Sequence, residues 1–174
     1  MFPSHSHIFT RSALFLLLLC SIAWAEGTIF QASDQSFTVK LPSTFSADQN
    51  PPGQTVLAAV IPNSGVSLYC DKREAEEVSA DVFAEQAKRN LYDNGAQIYG
   101  KAKASLGNKP AASFLVGGIK EGKESLFVYN TREDALYVFV LNYPKGQRKM
   151  ASRLWNEIAP TFKFAPPKKK AGKG

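Results

Sequence analysis

The chain has 174 residues, a formal net charge of +6, two histidines and two cysteines. Both histidines, His5 and His7, and one cysteine, Cys20, lie within residues 1–25, which form a predicted signal peptide. The mature chain then contains no imidazole, which excludes Ser-His-Asp and Cys-His catalysis and any histidine-ligated zinc or copper site. With Cys70 as its single thiol it cannot form an intramolecular disulfide, so the fold must depend on its apolar core.

The N-terminus has the pattern of an export signal. Arg11 is followed by the apolar run SALFLLLLCSIAWA and then by the polar EG. This run is shorter than the about 20 residues that a bilayer-spanning helix needs. Ala23-Trp24-Ala25 places small residues at the cleavage positions. We expect cleavage before Glu26, which leaves a periplasmic or secreted protein without a transmembrane span.

A lipoprotein signal is the alternative, with Cys20 as the acylated first residue. Leu19 stands directly before it, where a lipoprotein peptidase requires a small residue. The cleaved signal peptide is therefore favoured, and Cys20 is then one more apolar residue of the run.

Residues 165–174, APPKKKAGKG, differ in composition from the rest of the chain. They hold four of the 21 basic residues, and Arg11 lies in the predicted signal peptide. Residues 26–164 therefore carry 16 basic and 15 acidic residues. Such a segment buries too little apolar area to offset chain entropy, so we expect a disordered tail. Its lysines can contact an anionic surface such as lipid head groups, acidic glycans or DNA, without specific nucleic-acid recognition; the alternative is a solubilising end with no partner. The four residues are Lys168, Lys169, Lys170 and Lys173.

Residues 26–164 form one predicted domain, because roughly 140 residues are enough for a single apolar core. Its first part contains two alternating strand patterns, SFTVKLP at 36–42 and VSLYCD at 66–71. Between them TVLAAVIP at 55–62 is more continuously apolar, and turn residues follow at 62–65. Cys70 falls on the apolar face of its strand, which favours a buried thiol; the alternative is an exposed thiol that pairs with a partner.

A helix is predicted over residues 79–94. Ser79 is a plausible N-cap, Phe83, Ala87 and Leu91 recur at four-residue spacing, and Gly95 follows the end. The acidic run REAEE at 73–77 lacks the ligand spacing of a calcium loop, which favours a polar linker over a metal-binding loop.

Four further strands are predicted from residue 96 onward. They correspond to the alternating residues 98–106, residues 112–116, SLFVYN at 125–130 and LYVFVLNY at 136–143. The turns between them are short and rich in turn residues, which predicts an antiparallel meander. The last strand is apolar on both faces, so both faces should be covered.

The final element is a second predicted helix, from about residue 147 to Pro160. Met150, Leu154, Trp155 and Ile158 lie on its apolar stripe, so Trp155 is expected in the core rather than in a ligand-stacking position. With one helix on each face, the predicted fold is α+β: an antiparallel meander flanked by helices, an α/β/α sandwich.

This order of elements resembles the fold shared by the PsbP-like extrinsic subunit of photosystem II, the Ran-binding import factor of the Mog family and DcrB-like bacterial envelope proteins. The resemblance is carried by FTVKLP, the single helix before the meander, the long hairpins and the final helix running into IAPTFKF, over residues 37–164. Plant members bind metal partly through histidine, which this mature chain lacks. The resemblance therefore implies a fold and no site residue.

Three functions are compatible with these residues. The first is a non-catalytic envelope protein that binds or stabilises a partner, with no cofactor; no phosphate loop, nucleophile elbow or paired-cysteine motif is found. The second is a carrier of a small apolar ligand or lipid between sheet and helix. The third is a hydrolase that uses carboxylates alone, drawn from Asp71, Glu74, Asp81 and Glu133.

Overall fold

A computed structural model describes residues 27–75, 78–132 and 135–166. The predicted signal peptide and the four tail lysines lie outside these ranges. None of the helices in the described ranges combines the length and apolar composition of a membrane span. The elements, in chain order, are β1 (Thr28–Gln31), β2 (Phe37–Leu41), β3 (Ser46–Asp48), β4 (Thr55–Ile61), β5 (Val66–Glu74), α1 (Ala80–Asp93), β6 (Gln97–Lys101), β7 (Ala104–Leu106), β8 (Lys109–Gly117), β9 (Lys123–Arg132), β10 (Ala135–Pro144), α2 (Arg148–Ile158), a 3₁₀ turn (Ala159–Thr161) and β11 (Lys163–Phe164).

The large sheet has eight strands in the described part of the chain, in the order β3-β4-β5-β10-β9-β8-β6, with β7 paired to β8. All of its strand pairs are antiparallel, and β8, β9 and β10 form the predicted meander. The predicted strand at 98–106 is instead two strands, because the extended segment breaks after Lys101; a register shift between Ile98 and Gly100 lies within the first of them. The expected linker at 73–77 is also partly wrong, since Arg73 and Glu74 end β5.

The sequence patterns missed a second sheet. Strands β1, β2 and β11 form a three-stranded sheet within the described residues, which joins the N-terminal and C-terminal parts of the domain. This sheet and α2 pack together on one face of the large sheet, here called the inner face. The Thr161 hydroxyl accepts a hydrogen bond from the Lys40 amide at 3.0 Å and so connects the end of α2 to β2. The inner layer is thus a helix beside a sheet, rather than the single helix that was expected.

Aromatic side chains fill the inner core. Phe139 of β10 lies 6.1 Å from the ring of Trp155 and 4.9 Å from that of Phe162, both measured between ring centroids. Trp155 is 1% exposed, and its indole N–H donates to the Ser105 carbonyl at 3.1 Å. The predicted core position of Trp155 is confirmed, and its polar atom has a partner.

Helix α1 packs on the opposite, outer face of the large sheet, over β6, β8 and β9. Below it the rings of Phe114 and Phe127 stack with centroids 5.3 Å apart. The helix begins after Ser79 as predicted, although the Ser79 side chain makes no capping bond. Gly95 has φ of +83° and its N–H donates to the Tyr92 carbonyl, so a glycine is needed where the helix ends.

An ion pair between the half-exposed Arg148 and the buried Glu124 fixes the start of α2 to the sheet. Glu124 of β9 is 3% exposed and accepts from Arg148 Nε at 2.8 Å and from Nη2 at 2.9 Å. The guanidinium also lies 3.7 Å from the ring centroid of Tyr99. The bonds from Arg148 lower the pKa of Glu124 below its ordinary value of 4.5, against the desolvation that raises it.

We expect Trp155→Ala and Leu154→Ala to lower the free energy of unfolding by roughly 2–5 kcal/mol, with the fully buried Trp155 at the upper end. The urea midpoint measures the change. Asn156→Ala, at an exposed position of the same helix, is the control and should stay within about 0.5 kcal/mol of the wild type. If the Trp155 variant does the same, α2 does not hold the inner core together.

We expect Arg148→Ala to lower stability by about 2–3 kcal/mol at neutral pH, because it leaves the Glu124 carboxylate buried without its partner. Since the pKa of Glu124 is lowered in the folded state, the ion pair stabilises the fold above pH 4.5 and loses this effect as pH falls through the folded-state pKa. The difference between the two proteins should therefore shrink as the pH falls below 4.5 and through the folded-state pKa of Glu124. Arg153→Ala is the matched control, and a difference that does not change with pH would contradict this role of Glu124.

Candidate functional site

Part of the outer face of the large sheet is not covered by α1. Strand register identifies this region: Val140 of β10 lies opposite Tyr69 of β5, and Tyr69 lies opposite Ala58 of β4. Val140 belongs to the apolar cluster under α1, so its cross-strand neighbours lie on the same face. We call this region the open sheet face; it comprises Ala58, Val60, Ser67, Tyr69, Val140 and Asn142.

Apolar side chains protrude from the open sheet face. Tyr69 is 37% exposed although it lies on a central strand, and Val60 on the neighbouring strand is 40% exposed. Adjacent strands are about 4.8 Å apart, so the centre lines of β4 and β10 enclose a strip roughly 10 Å wide. That width is comparable with the diameter of one helix, about 10 Å.

A polar ladder crosses the same face over three strands. The Ser125 hydroxyl of β9 donates to the Asn142 amide oxygen at 2.6 Å, and the Asn142 amide nitrogen donates to the Ser67 hydroxyl at 3.1 Å. Ser125 and Ser67 are both buried. In the described residues no acceptor is found for the Ser67 hydroxyl hydrogen or for the second amide hydrogen of Asn142. The ladder is therefore partly satisfied internally and retains hydrogen-bond donors.

Charged groups limit the open sheet face at both ends. At one end the Thr55 hydroxyl donates to Asp71 at 2.8 Å, and Arg73 lies 3.8 Å from the same carboxylate. At the other end the Lys123 ammonium donates to the Gly65 carbonyl at 3.1 Å. The face thus has an apolar and polar centre between charged ends, the usual composition of a protein interface.

The structure does not bring the candidate carboxylates into one cleft. Asp71 lies opposite Val138 and Glu74 opposite Ala135, so strand alternation directs them to opposite faces of β5. Asp81 belongs to α1, and Glu133 is outside the described residues. Over residues 27–75, 78–132 and 135–166, no group of three or more His, Cys, Asp or Glu side chains is placed to hold a metal ion.

A small cavity lies beside α1, at the edge away from the open sheet face. Its volume is about 120 Å³, and Asp81, Glu85, Lys88 and Lys101 line it above Phe114. Lys88 forms an ion pair with Glu85, which lowers the pKa of that carboxyl. Sites for lipid-sized or drug-sized ligands occupy roughly 300–1,000 Å³. This cavity is therefore too small for the apolar ligand of the carrier hypothesis.

Cys70 is buried on the inner face, as favoured from the sequence. Burial raises the pKa of its thiol, so little reactive thiolate is present at neutral pH. The four tail lysines fall outside the described residues. The sequence did not single out Tyr69; its only signal was the strand alternation that directs it away from Cys70 and Leu68.

Comparison with known proteins shows the fold. No family model matches the chain, and no curated protein matches it. Among solved structures it is similar to PsbP (CyanoP) from Synechocystis sp. PCC 6803, with a TM-score of 0.58 and 10% identity over 83% of this chain and 96% of CyanoP. It is also similar to LpqN of Mycobacterium tuberculosis, described as involved in cell envelope biogenesis (TM-score 0.56, 16% identity, 80% of this chain and 90% of LpqN).

A third similar structure is the Ran-binding protein Mog1p of Saccharomyces cerevisiae, with a TM-score of 0.50 and 13% identity over 79% of this chain and 95% of Mog1p. At these identities the similarity shows the fold alone. The chain therefore has the PsbP-like and Mog-like α+β fold, and the predicted resemblance is confirmed.

Proposed function

We propose that this chain is an exported, non-catalytic protein that works in the periplasm or outside the cell and binds a protein partner through its open sheet face. The observation that carries the proposal is Tyr69, a 37% exposed aromatic residue on a central strand. Central positions of a two-sided sheet are normally covered, and tyrosine is enriched at protein interfaces.

The chemistry of the face fits a folded protein. Covering Tyr69 and Val60 removes apolar area from water, at about 25 cal/mol per Å². The remaining donors of Ser67 and Asn142 can bond backbone carbonyls or polar side chains of the partner, which fixes its orientation. The apolar centre of the face would therefore contribute binding free energy, and the hydrogen bonds of the ladder would orient the partner.

The fold relatives support a binding role at a coarse level. Mog1p carries the description of a Ran-binding protein, so this fold accommodates a protein partner in at least that relative. LpqN is described as involved in cell envelope biogenesis, which agrees with the export signal predicted here. The carrier and hydrolase alternatives have less support, because the cavity beside α1 is small and the candidate carboxylates are dispersed.

Photocross-linking tests the partner face directly. With a photoreactive phenylalanine at position 69 or 60 in the full chain, we expect one discrete adduct from the native envelope fraction. Tyr92, which is 69% exposed on α1, is the matched control site and should give none. Val60→Asp should reduce the adduct at position 69 at least about tenfold, the effect of charge in the centre of an apolar contact. Equal adducts from positions 69 and 92, or an adduct that Val60→Asp leaves unchanged, would contradict the proposal.

Export is tested separately. We expect N-terminal sequencing of the protein from its native envelope fraction to begin at Glu26, because Ala23 and Ala25 provide the small residues that signal peptidase requires. Ala25→Phe should retain the uncleaved precursor. A mature chain that begins with a lipid-modified Cys20 would support the lipoprotein alternative, and an uncleaved wild-type chain in the cytoplasm would contradict export.

A further inference from the structure

The solvent side of the inner layer is basic. Lys40 of β2 points away from the core, and Lys163 of β11 lies on the same side of the small sheet, because it pairs with Thr38, two residues from Lys40 along the strand. On the neighbouring α2, Lys149 and Arg153 are exposed and four residues apart, so they share one side of the helix. We call these four residues the basic face.

One acid, Glu157, lies on the same side of α2 as the basic face, four residues after Arg153. Within residues 145–163 the sequence contains five basic residues and one acid, Glu157. In the described part of the chain, neither Lys149 nor Arg153 forms an ion pair with it or with any other carboxylate. Asp34, in the loop that leads to β2, is bonded to Lys72 at 2.7 Å. Residues 26–164 carry a net charge of only +1, and residues 145–163 have an excess of four positive charges.

An exposed apolar residue lies among these cations. Ile29 of β1 lies directly opposite Lys40 and is 73% exposed. An apolar side chain beside lysines is the arrangement in which a peripheral protein combines electrostatic attraction to an anionic bilayer with shallow insertion. An acidic glycan would offer Ile29 no comparable apolar phase.

The described part of the chain ends beside β2. Strand β11 ends at Phe164, and the Ala165 amide donates to the Ser36 carbonyl at 2.8 Å, which fixes the exit point of the chain beside β2. The lysines at 168–170 and 173 follow within ten residues of Phe164. The sequence therefore has four more positive charges in the segment that follows β11.

We propose that the basic face docks the domain on an anionic lipid bilayer, with Ile29 entering the head-group region. The open sheet face lies on the other side of the large sheet and then points away from the membrane, where a partner can reach it. This proposal does not depend on the partner proposed above, because the two surfaces share no residue.

Vesicle sedimentation at low ionic strength tests the proposal with the mature chain. We expect binding to vesicles that contain phosphatidylglycerol, no binding to phosphatidylcholine vesicles, and weakening as salt rises. Replacing Lys149 and Arg153 by Glu should reduce the affinity roughly fivefold per cation removed, or about 1 kcal/mol each, and further through the added acids. Arg89→Glu with Lys101→Glu changes the net charge equally on the outer side and is the matched control.

Two further variants separate the elements of the proposal. Ile29→Ser should lower the affinity and remove the salt-resistant part of binding, whereas Ile119→Ser, at another exposed position, should not. Removing residues 165–174 should weaken binding without abolishing it. If the Lys149 and Arg153 variant binds as the wild type does and only tail removal abolishes binding, the tail alone is the contact and the basic face is not. Equal binding to both kinds of vesicle, or equal loss in the Arg89 and Lys101 control, would overturn the proposal as well. Tyr69→Ala should leave vesicle binding unchanged.

Discussion

The apolar character of both faces of β10 is the constraint on which the rest of the structure depends. Tyr137, Phe139 and Leu141 are buried on the inner face, and Leu136 and Val138 on the outer face. Leaving such a side chain in water costs about 1.5–3 kcal/mol, so the strand requires a layer on each side. The strand lies inside the sheet, paired to β9 along its whole length and to β5 as far as Asn142, so this local requirement leads to a three-layer domain.

The inner layer covers the large sheet more completely than the outer layer does, and the chain connections explain the difference. The inner layer contains a helix and a sheet, and the Arg148–Glu124 pair and the Thr161 hydroxyl hold these parts in position. The outer layer, where the structure describes it, is the 14-residue α1, which connects β5 to β6 at the far edge. One helix about 10 Å wide cannot cover a sheet of seven consecutive strands spaced about 4.8 Å apart. The uncovered strands on the side of β4 are where we place partner binding.

Local patterns predicted the long elements, and distant pairing determined the rest. Alternation predicted β2, β5 and β8–β10, a continuous apolar run predicted β4, and helical spacing predicted α1 and α2, because each element is long enough to show its pattern. Strands β1, β3 and β11 contain four, three and two residues, too few for a period, and β11 exists only because Lys163 and Phe164 meet β2. Tyr69 is exposed because α1 does not extend across the sheet as far as β5. The polar ladder forms because strand pairing brings together residues of three strands. Neither the exposure of Tyr69 nor the ladder can be predicted from a short stretch of sequence.

The pairing of the two ends of the domain also affects how the chain reaches its folded state. The bond between Lys40 and Thr161 joins residues 121 positions apart, and β2 cannot complete its sheet until β11 is available. Contacts of such high sequence separation slow folding, because a long loop must close before they form. For the exported chain proposed above, the final strand would emerge last from the translocation channel. Because the small sheet forms late, the chain would stay unfolded and competent for translocation on the cytoplasmic side. The inner core would then pack only after transport.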